Sequence, residues 1–128
     1  MELAGLNATT LAFVGDAVFS LQIREYLVMQ GHQKPNTLQK RSVLYVSAKA
    51  QARFLKYFID NNILSDEELG IVKRGRNSKT QTIAKNADVI TYRNSTGFEA
   101  LWGYLYLSKQ EARLIELLSI VLAKGEEG

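Results

Sequence analysis

Two acidic residues stand where an acid is hard to accommodate. Asp16 falls inside Leu11-Ala12-Phe13-Val14-Gly15-Asp16-Ala17-Val18-Phe19, and Glu99 inside Phe98-Glu99-Ala100-Leu101-Trp102-Gly103-Tyr104. Apolar side chains occupy nearly every direction around both stretches if they are helical, and an ionised carboxylate is costly to bury there unpaired. Each acid also has a glycine at hand, Gly15 beside Asp16 and Gly103 one turn after Glu99. Glycine in a helix interior costs about 1 kcal/mol relative to alanine, so it marks a close approach. Two readings are open for each acid. It lies on a narrow solvated stripe, Asp16 with Thr9 and Ser20, Glu99 with Ser95 and Tyr106. Alternatively, the two acids converge on one hard cation at the floor of a cleft. Magnesium suits that second reading, because it is often held by one or two carboxylates and completes its shell with waters and substrate phosphates.

A second group of residues is consistent with a phosphate-bearing substrate. The segment Lys73 to Asn86, KRGRNSKTQTIAKN, has five bases and no acid, and reads as a long irregular loop. Lys73, Arg74, Arg76, Lys79 and Lys85, with the polar groups of Asn77 and Ser78, can contact several phosphates. No aromatic residue is interleaved with them, so a duplex held through its backbone is expected rather than stacked single-stranded bases. The other reading is a merely solvated charged loop. The net charge of +3 hides the asymmetry: Lys34 to Lys85 carries 11 bases and 4 acids, the remainder 5 bases and 9 acids.

Other chemistries lack their parts. There is no Cys, hence no disulfide, thiolate nucleophile or Cys-ligated zinc, and a lone His32 leaves no multi-His metal site. The nine glycines form neither a P-loop nor a dinucleotide fingerprint. No run of 18 apolar residues suggests a membrane span, and the N-terminus lacks a basic region typical of a signal peptide, so a cytoplasmic protein is expected.

The elements that must position these residues read as helices. One proline in 128 residues, with Ala, Leu, Lys, Gln and Glu frequent, predicts a single all-α domain over residues 1–128, a bundle of six or seven helices. The first runs from Thr9 or Thr10 to Gln30, with Gly31 closing it and Pro35 soon after. Asn36 or Thr37 caps a second, to Tyr45; Ser47 caps a third, through Phe58. Ser65 and Glu68 form a capping box for a fourth. Ser95 to Leu107 and Gln110 to Lys124 are the last two, separated by Ser108-Lys109 and stopped by Gly125. Asp88 to Tyr92 has β-prone residues but no partner strand, and reads as a short helix or turn.

These segments together resemble a known family. Phe13-Val14-Gly15-Asp16-Ala17-Val18 looks like the signature helix of the ribonuclease III catalytic domain. Thr96-Gly97-Phe98-Glu99-Ala100-Leu101-Trp102-Gly103-Tyr104-Leu105-Tyr106-Leu107 resembles its second acidic helix. With Val46-Ser47-Ala48-Lys49-Ala50-Gln51-Ala52 and Lys73-Arg74-Gly75-Arg76-Asn77-Ser78, in this order, the chain resembles the Mini-ribonuclease III branch over roughly Leu6 to Lys124. The resemblance implies an all-helical endoribonuclease domain that works as a homodimer without an appended double-stranded RNA-binding domain. It implies Mg²⁺ dependence and maturation of the ends of the large-subunit (23S) ribosomal RNA precursor, with a ribosomal protein as a possible presenter of the RNA. Asp16 matches the family's catalytic aspartate and Glu99 its metal-binding glutamate; the basic segment matches one associated with RNA engagement.

The chain departs from larger ribonuclease III enzymes, which carry a glutamate one turn before the aspartate, another a turn earlier, and a third acid one turn before the second helix's glutamate. Ala12, Thr9 and Thr96 stand at those places. This reduced set is similar to the Mini branch, and leaves open whether Thr9 or Thr96 contributes a hydroxyl. It also sustains an alternative, a catalytically silent helical module that binds structured RNA or a ribosomal partner. For the enzyme, the expected reaction is in-line attack of water on phosphorus with no side-chain nucleophile, leaving 5′-phosphate and 3′-hydroxyl ends.

Overall fold

The computed structural model describes residues 2–78 and 88–125. A single 3-10 turn, Leu3–Gly5, precedes six α-helices: α1 (Ala8–Met29), α2 (Pro35–Val46), α3 (Ala48–Asp60), α4 (Asp66–Arg76), α5 (Val89–Leu107) and α6 (Glu111–Lys124). No strand occurs among the described residues, in agreement with the all-α expectation. No helix among them is long and apolar enough to cross a membrane.

The starts of the helices follow local chemistry. Asn7 caps α1 by accepting from the Thr9 backbone N–H (2.9 Å), one residue or more before the start expected at Thr9 or Thr10. Ser47 caps α3 through the Ala50 N–H, and Ser65 and Glu68 make the expected reciprocal capping box on α4. Pro35 occupies the first turn of α2, where its missing N–H leaves no bond unmade. Gly31 adopts φ +97° after α1, the left-handed conformation expected of a closing glycine. Gly125 behaves otherwise. Its backbone is right-handed, φ −60°, and a Cβ there would lie 1.7 Å from the Tyr45 ring, so the glycine makes room for an aromatic side chain.

Two boundaries differ from the sequence reading. Asp88 accepts from the Ile90 N–H (3.0 Å) and starts α5, so Val89 to Tyr92 form its first turn and not a separate element. Lys73, Arg74 and Arg76 belong to the last turn of α4 and not to an irregular loop. Bases at a helix C-terminus complement the partial negative charge of its free carbonyls.

α5 is the axis of the fold. From Ser95 to Leu105 only Glu99 and Tyr104 are not fully buried, because α1, α3, α4 and α6 pack around it. Phe98 and Trp102 stack with centroids 4.5 Å apart, and Phe19 of α1 meets Phe98 edge-on at 4.9 Å. Phe54 and Phe58 of α3 complete this aromatic cluster, and the Trp102 Nε1–H donates to Gln22 Oε1 (2.8 Å). A smaller cluster of Leu11, Ala12, Ile71 and Ala100 joins α1, α4 and α5. α6 is tied back by a polar clamp: Arg113 donates to both Glu68 carboxylate oxygens (2.8 Å each) and to the Ile63 carbonyl. Burial works against the Glu68 charge, but Arg113 and the Ser65 capping contacts outweigh it and hold this carboxyl below the usual range.

Candidate active site at the crossing of α1 and α5

The two acids meet because two helices touch without side chains between them. A Cβ on Gly15 would lie 1.8 Å from the Glu99 carbonyl oxygen, and one on Gly103 would lie 1.9 Å from the Leu11 carbonyl oxygen. These separations are far inside van der Waals contact, so the α1 and α5 backbones can cross this closely only with glycine at both points. Asp16 follows Gly15 and Glu99 lies one turn before Gly103, so the crossing brings both carboxyls to one place.

Their environments differ. Asp16 is exposed, whereas Glu99 is half-buried. Burial first, and then the Asp16 carboxyl through a shared proton and like-charge repulsion, push the Glu99 carboxyl up to about 8 from 4.5. Gln51 of α3 opposes this shift with a contact from its Nε2 to Glu99 Oε2 (3.5 Å). A proton shared between two carboxyls in a half-buried setting can be replaced by a cation. Both groups are hard oxygen donors, and among the described residues no set of three or more His, Cys, Asp or Glu could hold a metal. This donor set fits Mg²⁺, which needs few protein ligands.

The site carries a pH signature in the cation-free protein. The folded chain keeps the Glu99 proton up to about pH 8, while an unfolded glutamate releases it near 4.5. Between those values the folded state binds more protons, so its stability falls as pH rises through that window. Glu99→Gln, uncharged throughout, is expected to flatten this slope in thermal unfolding with chelator present. An unchanged slope in the variant would remove Glu99 as its source.

The positions lacking acids are filled in other ways. Ala12 is buried in the small cluster with Leu11, Ile71 and Ala100. Thr96 donates its hydroxyl proton one turn back to the Tyr92 carbonyl (3.1 Å), and Thr9 donates to Asn7 Oδ1 (2.8 Å). Both hydroxyl protons are thus used within their own helices.

The basic residues do not form one cluster. Arg74 donates to the Leu6 carbonyl and, with Lys73, Asn77 and Ser78, lines an open cleft against the first turn of α1. Arg76 goes the other way: its stem lies over Gly97 of α5, which has no Cβ to block it. There it shares a groove with Lys49, Arg53 and Lys56 of α3 and with Thr91 and Asn94 of α5. Those three α3 bases were not singled out from sequence, although they recur at positions 49, 53 and 56 along one helix face. Lys79 and Lys85 lie outside the described residues.

A model of the ribonuclease III domain matches residues 9–110, a span that contains Asp16, Glu99 and the crossing between them. The chain belongs to the ribonuclease III family. It is 50% identical over 122 residues to the Mini-ribonuclease 3 of Enterococcus faecalis, covering 95% of this chain and 92% of that one. To the Mini-ribonuclease 3 of Staphylococcus aureus it is 50% identical over 117 residues, covering 91% and 87% respectively. A crystal structure of a Fusobacterium nucleatum protein superposes with a TM-score of 0.85 at 35% identity, over 94% of this chain and 97% of that one. The resemblance to the Mini-ribonuclease III branch therefore holds, and the chain is a ribonuclease III-type endoribonuclease for double-stranded RNA.

Proposed function

We propose that this ribonuclease III domain is a Mg²⁺-dependent enzyme that trims the duplex joining the ends of the 23S ribosomal RNA precursor. The observation that carries the metal requirement is the Asp16–Glu99 pair, two carboxyls sharing a proton at the helix crossing, with no third His, Cys, Asp or Glu grouped with them among the described residues. When bound, a divalent cation supplies Lewis-acid polarisation of the phosphate and acidifies an adjacent water. Asp16, exposed, faces the substrate side; Glu99, half-buried, anchors the pair to the core. Attack by a water needs no side-chain nucleophile and leaves 5′-phosphate and 3′-hydroxyl ends. The choice of precursor rests on the branch resemblance, as does a cytoplasmic location; a ribosomal protein that presents the RNA is compatible with it.

The proposed working form is a homodimer. On α1, Phe13 is 79% exposed and Leu21 65%, with exposed Ala17 between them, an apolar stripe that runs beside Asp16. So large an apolar face next to an acid is better covered than left in water. A second copy related by a two-fold axis would cover it and bring a second acid pair to cut the opposite strand.

Duplex contact is assigned to Lys73, Arg74, Arg76, Asn77, Lys79 and Lys85, with the α3 bases extending the Arg76 side. The test is incubation of the protein with a precursor duplex, with and without Mg²⁺. Cleavage only with Mg²⁺, leaving 5′-phosphate ends, is expected; metal-independent cleavage would overturn the reading. In parallel, Arg76→Ala is expected to weaken binding and reduce its salt slope by about one counterion's worth. An unchanged slope would return Arg76 to an ordinary helix-end base.

A further inference from the structure

Gln51 has a place that composition does not explain. It lies on the buried stripe of α3 with Phe54, Leu55 and Phe58, is 1% exposed, and is the one long polar side chain there. A leucine would fill such a position, and a buried carboxamide is tolerated only if both of its ends find partners. They do. Ser95 Oγ donates to Gln51 Oε1 (2.6 Å), and Gln51 Nε2 donates towards Glu99 Oε2 (3.5 Å). Ser95 and Glu99 are one turn apart on α5, so a single side chain from α3 bridges two successive turns beside the acid pair.

We infer that Gln51 is a positioning residue for the Glu99 carboxylate, anchored by Ser95. This rests on the reading of Asp16 and Glu99 as a cation-binding pair. Once a cation has displaced the shared proton, the ionised Glu99 carboxylate can only accept hydrogen bonds, so it must face the amide N–H₂ and not the amide oxygen. The Ser95 hydroxyl takes up that oxygen at 2.6 Å, so both ends of the buried carboxamide are anchored on α5. The carboxylate therefore keeps one oxygen, Oε2, facing α3. At 3.5 Å the Gln51 contact is long for a hydrogen bond, as suits a partner that orients the carboxylate without competing for its charge. Orienting contacts behind a ligand of this kind commonly change metal affinity about tenfold or more when removed.

The test uses Mn²⁺ alone as the probe, titrated into RNA-free protein by calorimetry, for the wild type, Gln51→Leu, Ser95→Ala and Glu99→Gln. Leucine matches the glutamine in volume and suits the apolar stripe, and thermal unfolding of each variant shows whether the fold is kept. Expected are Mn²⁺ binding by the wild type, its loss in Glu99→Gln, and about tenfold weaker binding in Gln51→Leu and in Ser95→Ala, with metal-free duplex affinity unchanged. Wild-type affinity in a folded Gln51→Leu would overturn the positioning role alone. Should Gln51→Leu be unfolded, Ser95→Ala decides by the same criterion. Binding that persists undiminished in Glu99→Gln would overturn the reading of the acid pair, and the positioning role with it.

Discussion

Asp16→Asn is expected to lower duplex cleavage by roughly three orders of magnitude while gel shifts show the duplex still bound. The substitution keeps the shape of the side chain and removes its charge. If the pair holds a cation that offsets charge at the reacting phosphate, the loss is several kcal/mol, at about 1.4 kcal/mol for each tenfold in rate. The variant should not be less stable. Asp16 is exposed, and an amide oxygen in its place can still accept from the protonated Glu99 carboxyl in the cation-free protein. Stable protein, intact binding and absent turnover together separate a chemical role from a structural one. Retained Mg²⁺-dependent cleavage would sink the assignment.

The second large effect falls on the crossing itself. Gly15→Ala would place a methyl 1.8 Å from the Glu99 carbonyl oxygen, backbone against backbone, with no flexible side chain able to yield. α1 and α5 would have to separate, and a destabilisation of about 3 kcal/mol or more is expected in denaturant unfolding. The protein that still folds should also cleave poorly, because the displacement occurs at the acid pair. Gly70→Ala is the control. Gly70 lies inside α4 with nothing within 4 Å of the added methyl, so helix propensity alone should make that variant about 0.5–1 kcal/mol more stable. A Gly15→Ala variant as stable as the wild type would show that the crossing has slack.

These glycines also show what can be read from sequence. Gly15 and Gly103 each carry a local penalty in a helix, which marked a close approach and placed a convergence of Asp16 with Glu99 beside the solvated-stripe reading. Ser47, Ser65 and Glu68 were legible for the same reason, since a cap acts over three residues. Misreadings came where a local signal had a distant cause. Gly75 and the bases around it resemble a loop, yet Gly75 lies in α4 because a Cβ there would lie 2.8 Å from the Gly97 Cα of α5. Val89 to Tyr92 have strand-like side chains, but the Asp88 cap and the continuity of α5 decide their state. Gln51 was quoted only as part of a motif, since its partners lie 44 and 48 residues away. A polar residue at a stripe position between Phe54, Leu55 and Phe58 was the available clue.

The contact of bare backbones at Gly15 and Gly103 has one more consequence. The gap between the two acids is gauged by peptide units and not by the fit of side chains around them. The bases along α3 and α4 stand outside it altogether. Under the proposed assignment, the residues that would choose the duplex are thus set apart from those that space the acid pair.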